Sequence, residues 1–266
     1  MIPFIKAHAY GNDFLYVRDE HAAGLGRDRL AQRLCNRHMG IGADGLVFYT
    51  PTADGGSMQL FNADGSRSEV SGNGVRGLAA ILTRGNDRGL RDVVVHTDAG
   101  AKALTQTGRE GTRQSFVAAM GLPRDLRQVS ASAGGEPLQL CVMDFGNPQC
   151  VVLGALPDEA RFARLGPALE RHELFPARTN VEFAFVERAG VVRILIWERG
   201  VGPTMSSGTG SCASLIAAAA FGGASRDAEV IAPGGAQRVE WRTDSVYLTG
   251  WAEILFEGTW VGAPVQ

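Results

Sequence analysis

The stretch Met205-Ser206-Ser207-Gly208-Thr209-Gly210-Ser211-Cys212-Ala213-Ser214-Leu215 joins a glycine-rich turn directly to an apolar, alanine-rich segment. Such a composition predicts a buried helix. A turn of this kind leaves backbone N–H groups unpaired at the positive end of the helix, where an anion can bind. Taken alone, small residues at a helix start more often indicate ordinary capping than a ligand site.

The pattern occurs twice, because Ser71-Gly72-Asn73-Gly74 leads into a second apolar run. The two Ser-Gly-x-Gly turns, at positions 71 and 207, lie 136 residues apart. Four further pairs of landmarks recur at an offset of 135: Gly11-Asn12 with Gly146-Asn147, Asp44–Phe48 with Thr179–Phe183, Phe61–Gly65 with Ile196–Gly200, and Ala99–Ala101 with Gly234–Ala236. Landmarks in one order at one spacing predict a duplicated unit of about 120 residues.

Both units follow the same predicted plan. A strand precedes the Gly-Asn turn, and a helical pattern, β-branched strands, the apolar helix and closing strands follow it. A helix that is apolar nearly all round must be covered on every side, and the unit's own sheet is the simplest cover. The sequence therefore predicts an α+β fold of two similar halves. We expect residues 1–117 with about 254–266 in one half, and residues 118–253 in the other.

Composition restricts the functional classes. The chain has 266 residues, 45% of them hydrophobic and 20% charged, with a formal net charge of −2. This balance of charges predicts neither a nucleic-acid nor a membrane-surface partner. The sequence has no run of about 18 apolar residues, so it predicts no membrane-spanning helix. The N-terminal residues lack the layout of a signal peptide. The four cysteines form no CxxC pair, which predicts reduced thiols in a cytoplasmic protein.

The segments that match cofactor-binding motifs do not have the neighbouring secondary structure that such motifs require. Gly40–Gly45 satisfies GxGxxG, but helical residues precede it and a strand follows, the inverse of a dinucleotide site. We therefore interpret it as a helix end and turn. Lys6 and Lys102, the only lysines, are in no setting that suggests a Schiff base. The histidines form no metal-binding motif, so the sequence predicts no cofactor and no metal.

Two groups of polar residues are candidates for binding. Glu198 and Arg199 lie side by side at a predicted strand end, where they could form a surface salt bridge or bind a zwitterionic ligand. Asparagines in turns usually bond their own backbone. Five of them at repeat landmarks instead suit a polar cleft for ammonium and carboxylate groups: Asn12, Asn62, Asn73, Asn147 and Asn180.

At these residues the chain resembles the diaminopimelate epimerase family. The matching blocks run along nearly the whole chain: Gly11–Phe14, Asn36–Gly45, Phe61–Ser66, Gly72–Arg76, Gly146–Pro148, Arg178–Val181, Glu198–Gly202 and Gly208–Ala213. The resemblance implies two pseudo-symmetric halves, each with a mainly antiparallel sheet wrapped around a central helix. It also implies an active site in the cleft between them.

The resemblance further implies an amino-acid epimerase that needs no cofactor. The family inverts the α-carbon of diaminopimelate, from the LL to the meso isomer, in lysine and peptidoglycan biosynthesis. One cysteine thiolate removes the α-proton and a second thiol returns it, while two helix N-termini hold the α-carboxylate. The implied partners are a small-molecule amino acid and a second copy of the chain in a homodimer. By position, the implied substrate-binding residues are Asn12, Asn62, Gly72, Asn73, Asn147, Asn180, Glu198, Arg199, Gly208 and Thr209.

The chain departs from the family at the centre of that mechanism. Ser71 and Ser207 occupy the two catalytic cysteine positions, and a serine hydroxyl needs an adjacent base to act. Cys212 follows five residues later, inside the predicted helix, and His8 is a possible neighbour of the serines. Three further departures affect the distal pocket: Gln149 for histidine, Glu182 for a small residue and Pro203 for an acidic one.

Two alternatives to an epimerase of diaminopimelate therefore stay open. The first is a related cofactor-free isomerase, racemase or dehydratase that acts on another amino or carboxylic acid. Glu198, or Glu182 if it points inward, would then be the base. The second is a homologue that binds an amino acid and has lost catalysis.

Overall fold

The computed structural model describes residues 1–85 and 92–262. The chain divides into two compact units, Met1–Ala118 together with the chain from Gly250 onwards, and Ala119–Thr249. The described helices are Arg27–Cys35 (α1), Gly72–Thr83 (α2), Glu159–Glu170 (α3) and Gly208–Phe221 (α4), with a 3-10 helix at Asp19–Ala22. Not one of these helices is long and apolar enough to cross a membrane.

Seventeen strands are described. Those of the first unit are Ile2–Ala9 (β1), Asn12–Arg18 (β2), Gly45–Pro51 (β3), Gly55–Asn62 (β4), Arg67–Ser68 (β5), Asp92–Thr97 (β6), Gly100–Glu110 (β7) and Arg113–Ala119 (β8). Those of the second are Arg124–Ala133 (β9), Glu136–Asp144 (β10), Pro148–Leu153 (β11), Asn180–Arg188 (β12), Val191–Glu198 (β13), Gly202–Thr204 (β14), Asp227–Ala232 (β15) and Gly235–Trp241 (β16). The last strand, Val246–Trp260 (β17), begins in the second unit and continues in the first.

The pairing of the strands repeats between the units. In the first, β2 pairs with β3 and β4 with β6 in parallel. In the second, β11 pairs with β12 and β13 with β15 in parallel. The other described pairs are antiparallel, so the predicted α+β fold with a mainly antiparallel sheet is confirmed. The register repeats too, since Phe14 lies opposite Gly45 and Gln149 lies opposite Asn180.

The two helices that follow the Ser-Gly-x-Gly turns form the centres of the cores. Every residue from Asn73 to Ile81 in α2 is buried, and every residue from Gly210 to Ala218 in α4 is buried. Strand side chains of the same unit pack on each helix. Helices α1 and α3 cover the opposite faces of strands in their own units. The sheet thus supplies the cover that an apolar helix requires.

The GxGxxG segment is a helix end and a turn, as the sequence predicted. Helix α1 ends at Cys35, and the N–H groups of Ile41 and Gly42 bond back to the Leu34 carbonyl. Strand β3 then starts at Gly45. No glycine-rich loop leads from a strand into a helix here, so this segment lacks the geometry of a dinucleotide site.

Some strands were not predicted. Strand β9 is rich in arginine, serine and exposed positions, and its only signal is its pairing with β10 along nearly its whole length. Strands β2 and β11, which follow the two Gly-Asn turns, were also missed. Each completes a hairpin, β1 with β2 and β10 with β11.

Replacing Gly77 by alanine should destabilise the protein, although alanine is the better helix former. A Cβ at Gly77 would lie 2.1 Å from the hydroxyl oxygen of Tyr16, which is fully buried. Because side chains in a packed core can shift only slightly, we expect the free energy of unfolding in urea to fall by about 1–3 kcal/mol.

A matched control is Gly108→Ala, because a Cβ there meets nothing within 4 Å. We expect its effect to stay within about 0.5 kcal/mol. In a Tyr16→Phe background, Gly77→Ala should cost less, since the clashing hydroxyl is gone. An equal cost in both backgrounds would show that Tyr16 is not the cause.

Candidate active site

Helix α2 begins with a serine cap. The backbone of Ser71 is extended, and its Oγ accepts a hydrogen bond from Gly74 N at 3.2 Å. The Ser71 carbonyl accepts from Val75 N at 2.8 Å. The serine side chain thus satisfies the N–H of Gly74, and its carbonyl accepts the first bond of the helical ladder, from Val75. Within residues 1–85 and 92–262, no acceptor serves the N–H groups of Gly72 and Asn73.

Helix α4 begins in the same way. Ser207 Oγ accepts from Gly210 N at 3.1 Å, and the Ser207 carbonyl accepts from Ser211 N at 3.0 Å. The described residues supply no acceptor for the N–H groups of Gly208 and Thr209. Each helix therefore presents a pair of free N–H groups at its positive end, which suits a carboxylate.

Beside the start of α2 the structure brings Asn12 and Asn73 together. Asn73 Nδ2 donates to Asn12 Oδ1 at 3.3 Å, and Asn73 Oδ1 accepts from Arg76 at 3.1 Å. Asn12 Nδ2 in turn donates to Asp44 Oδ2 at 2.8 Å. We call Ser71, Gly72, Asn73 and Asn12 the α2 half-site.

Asp44 is held by a charged network that the sequence did not reveal. Arg37 bonds both Asp13 and Asp44 at 2.8 Å, and Lys6 lies 2.9 Å from Asp13. Burial opposes ionisation of Asp13, but its hydrogen bonds to Arg37 and Lys6 outweigh burial and lower its pKa. The network fixes Asp44, and through it the orientation of the Asn12 amide.

Asn62 lies apart from this group. It ends β4, and its side chain is exposed and donates to Ser66 Oγ at 2.9 Å within the following turn. Asn62 N and the Ser66 carbonyl close the same turn. The side chain therefore shows the local turn bonding that is usual for asparagine, and its role in binding stays a prediction.

In the second unit, three adjacent strands place a row of polar side chains against α4. Gln149 on β11 lies opposite Asn180 on β12, and Glu182 follows two residues later on the same face. Side chains alternate along a strand, so Glu198 on β13 shares the face of Ile196, which packs in the α4 core. These polar side chains therefore lie at the edge of the apolar face of the sheet, next to the first turn of α4.

Gln149 links this row to the helix. With its amide nitrogen facing Glu182, it donates to both carboxyl oxygens at 3.1 and 3.2 Å. Its oxygen then accepts from Asn180 Nδ2 and from Thr209 Oγ1, both at 3.2 Å. The same Gln149 oxygen lies 2.6 Å from the side-chain amide of Asn147, which donates to it once its own amide is turned in the same way. We call Ser207, Gly208, Thr209, Asn147, Gln149, Asn180 and Glu182 the α4 half-site.

The two carboxyl groups of the row are in an unusual environment. Glu182 is fully buried, and burial, together with the nearby Glu198 carboxyl, raises its pKa well above the ordinary value. Burial also raises the pKa of Glu198. Perturbed carboxyl groups of this kind are typical of functional sites.

Arg199 is positioned through its backbone. Its N–H donates to Asn180 Oδ1 at 2.9 Å, and its exposed guanidinium donates to the Ala177 carbonyl at 3.2 Å. The buried Glu170 accepts from Gly200 N at 3.1 Å and from Trp197 Nε1 at 2.9 Å, which fixes this strand end. Among the ion pairs of the described residues, none joins Glu198 to Arg199, so the surface salt bridge is not formed.

The cysteines and histidines are the other candidate nucleophiles and bases. All four cysteines are buried and none forms a disulfide, and burial raises the pKa of Cys150. His8 accepts from Gly11 N at 3.3 Å and lies 3.6 Å from Glu253. Among the described residues, no three His, Cys, Asp or Glu side chains are grouped as metal ligands.

Comparisons with known proteins identify the family. The family model described as diaminopimelate epimerase matches residues 4–124 and 141–255. This chain belongs to the diaminopimelate epimerase family. It is 39% identical to the diaminopimelate epimerase of Desulforudis audaxviator, over 98% of this chain and 99% of that one. It is 35% identical to the diaminopimelate epimerase of Synechococcus elongatus, over 97% and 98% of the two chains.

A solved structure supports the fold independently. A protein from Pseudomonas aeruginosa, described as a predicted epimerase, aligns over 99% of this chain and 100% of its own with a TM-score of 0.72. At 14% identity this likeness concerns the fold alone. The relatives are epimerases, so the isomerase class that the resemblance implied is confirmed for this family member.

The raised pKa of Glu182 predicts a pH-dependent stability. The folded state binds the Glu182 proton more tightly than the unfolded state, so stability falls as pH rises from the ordinary carboxyl value towards the folded one. Glu182→Gln removes this dependence. Its stability relative to the wild type should therefore rise by about 1 kcal/mol or more between pH 5 and pH 8, as measured in urea.

Glu198 stays in both proteins, so its own titration largely cancels from the comparison. A difference in unfolding free energy that is the same at pH 5 and pH 8 would contradict an ionisable, buried Glu182.

Proposed function

We propose that this chain epimerises the α-carbon of diaminopimelate without a cofactor, with Ser71 and Ser207 at the two proton-transfer positions. The observation that carries this proposal is the pair of serine-capped helix starts, each with two free N–H groups. The printed names of the relatives supply the substrate. The helix N–H groups would hold the α-carboxylate and the charge that develops on it.

The binding part of the proposal uses the amides of both half-sites. Asn73 and Asn12 are already hydrogen-bonded to each other, and Asn180 is held between Gln149 and Arg199 N. Side chains that are fixed before binding lose little entropy when a ligand arrives. Asn62 and Arg199, which are exposed, would contact the distal ammonium and carboxylate groups of the substrate.

Proton transfer by a serine hydroxyl is slower than proton transfer by a cysteine thiol. A cysteine thiol titrates near 8.5, and a helix N-terminus lowers that value. A serine hydroxyl at the same place is a far weaker acid. We therefore expect low turnover, with the substrate site intact.

The proposal includes a compartment and an assembly. The absence of a disulfide among the four cysteines supports a reducing compartment, the cytoplasm. We also propose a homodimer, as the resemblance implied, which light scattering on the purified protein would test.

The direct test is proton NMR of the protein with LL-diaminopimelate in D2O. We expect slow loss of the α-proton signal and slow appearance of the meso isomer. Changing both Ser71 and Ser207 to cysteine should raise the rate by about 100-fold or more, in the range of acid–base catalysis. The matched control, with alanine at both positions, should show no exchange above buffer.

Three outcomes distinguish the rival functions. No gain from the cysteines and no ligand-dependent thermal stabilisation would overturn the choice of substrate. Stabilisation without exchange in the wild type, together with activity of the cysteine variant, would indicate a binding protein. Activity on another amino acid alone would favour the related isomerase that uses a carboxyl base.

The role of the helix N–H groups can be tested by Gly72→Pro. Proline is well tolerated at the first position of a helix, and the extended backbone of Ser71 suits a residue before proline. A Cβ at Gly72 meets nothing within 4 Å. We expect little change in stability and a Kd for LL-diaminopimelate about 10-fold higher, because one hydrogen bond to a charged group is lost.

Gly72→Ala is the matched control, because it adds a Cβ and keeps the N–H. Equal affinities of the proline and alanine variants in calorimetry would show that this N–H does not bind the ligand.

A further inference from the structure

Three polar side chains lie together in the α4 half-site: Ser207, Glu182 and Gln149. With its amide nitrogen facing Glu182, Gln149 bonds that carboxyl at 3.1 and 3.2 Å and Thr209 at 3.2 Å. A buried carboxyl held this way beside a capping serine calls for a physical account.

The side chains of Glu182 and Ser207 both lie close to Gly210. A Cβ on Gly210 would be 2.6 Å from Glu182 Oε1 and 3.1 Å from Ser207 Oγ. A side chain at Gly210 would displace the carboxyl, whereas glycine leaves no side chain between the carboxyl and the hydroxyl. The described hydrogen bond of Ser207 Oγ is from Gly210 N, so a carboxyl group so placed can exchange a proton with the hydroxyl through one bridging water.

The fold itself does not require a carboxyl here. The positions in the first unit that match Gln149, Asn180 and Glu182 in strand register are Phe14, Gly45 and Val47. Phe14 and Val47 pack in the apolar core around α2. The second unit thus buries a glutamate where an apolar residue serves equally well. Within the described chain, Glu182 has no cationic partner, so its burial lowers stability and calls for a functional reason.

We propose that Glu182 is the base that takes up and returns the hydroxyl proton of Ser207, so that serine can replace cysteine in the α4 half-site. This inference rests on the proposed epimerase function. Glu182 acts through Ser207 and is a positioning and relay residue, while Ser207 touches the substrate. Gln149 holds the carboxyl in place and connects it to the first turn of α4.

The proton transfers balance. The substrate α-proton moves to Ser207 Oγ while the hydroxyl proton of Ser207 moves to Glu182, which becomes neutral. The electron pair of the broken C–H bond stays on the α-carbon, next to a carboxylate that the N–H groups of Gly208 and Thr209 bind. When the transfers at Ser207 run in reverse, the starting isomer is restored with a solvent hydrogen at the α-carbon, and Glu182 ends ionised. Inversion requires that Ser71 donate its hydroxyl proton to the opposite face and regain one from solvent, while Glu182 releases its proton to solvent.

The two half-sites are then chemically unequal. Ser71 has its one described side-chain hydrogen bond with Gly74 N, and Val47 stands at the position that matches Glu182. The hydroxyl of Ser71 therefore has no comparable base among the described residues. We expect α-proton exchange to depend chiefly on the α4 half-site.

The charges around Glu182 fix the direction of its pH dependence. Glu198 faces it from β13 and Cys150 interacts with it from β11, while the first turn of α4 has no charged residue. Burial and Glu198 raise the pKa of Glu182. Since only the ionised carboxyl accepts a proton, the exchange rate should rise with pH across this ionisation.

The test is α-proton exchange from LL-diaminopimelate in D2O, measured across pH for six proteins. They are the wild type, Glu182→Gln, Glu182→Asp, Ser207→Cys, the double variant Glu182→Gln/Ser207→Cys, and Glu229→Gln. Glu229 is an exposed strand residue of the same unit and serves as the matched control. Thermal unfolding of each protein verifies that it is folded.

We expect Glu182→Gln to lower kcat about 100-fold or more with little change in KM, in the range of acid–base catalysis, and to remove one ionisation from the pH profile. Glu182→Asp should recover part of the rate. In the Ser207→Cys background the same glutamine change should have little effect, because a thiol needs no such base. Glu229→Gln should match the wild type.

Other outcomes overturn the inference. An equal loss from Glu182→Gln with serine and with cysteine at position 207 would show a structural role. An unchanged pH profile would do the same. If the wild type shows no exchange and the Ser71→Cys/Ser207→Cys protein is active, the relay is refuted but the proposed substrate site is not. Inactivity of both would refute the proposed function itself.

Discussion

The structure depends on the need to cover two helices whose central turns are buried on every side. Every residue from Asn73 to Ile81 and from Gly210 to Ala218 is buried, so each unit must build its sheet around its own helix. The backbone N–H groups of the first turn are then the polar groups of the helix that still need partners. Among the first four residues of each helix, the serine accepts one N–H through its side chain and one through its carbonyl. The remaining pair makes the helix start an anion site as a direct consequence of the fold.

The sequence predicted the duplication and most of the strands because turn residues and apolar periodicity are local signals. It could not predict β9, because that strand is defined by its pairing with β10 and not by its own composition. In the candidate site, the serines and most asparagines were found from the motifs. The link from Gln149 to Glu182 and Thr209 was not, because it joins residues that are distant in sequence through strand register. A comparison of the two units could have found it, because Glu182 occupies the position that corresponds to the apolar Val47 of the first unit.

The duplicated units preserve backbone geometry and differ in chemistry. Both begin the central helix with the same cap, at 3.2 Å in one unit and 3.1 Å in the other. Beside the cap, the first unit positions amides through a surface-linked network from Lys6 and Arg37 to Asp44 and Asn12. The second unit uses a buried row with no cation in it. A charged network lowers carboxyl pKa values, whereas a buried row raises them, so the two units favour opposite protonation states.

Serine at the N-cap of these helices has opposite effects on helix stability and on the acidity of the side chain. Serine is among the best helix caps, worth about 1 kcal/mol relative to alanine, and both serines make the capping bond. A thiolate in that place would gain from the helix dipole, whereas a hydroxyl stays protonated. The chain therefore favours a well-formed helix start over an acidic nucleophile. Such a choice is compatible with catalysis only where a separate group accepts the proton, and among the described residues near Ser207 the group so placed is the buried carboxyl of Glu182.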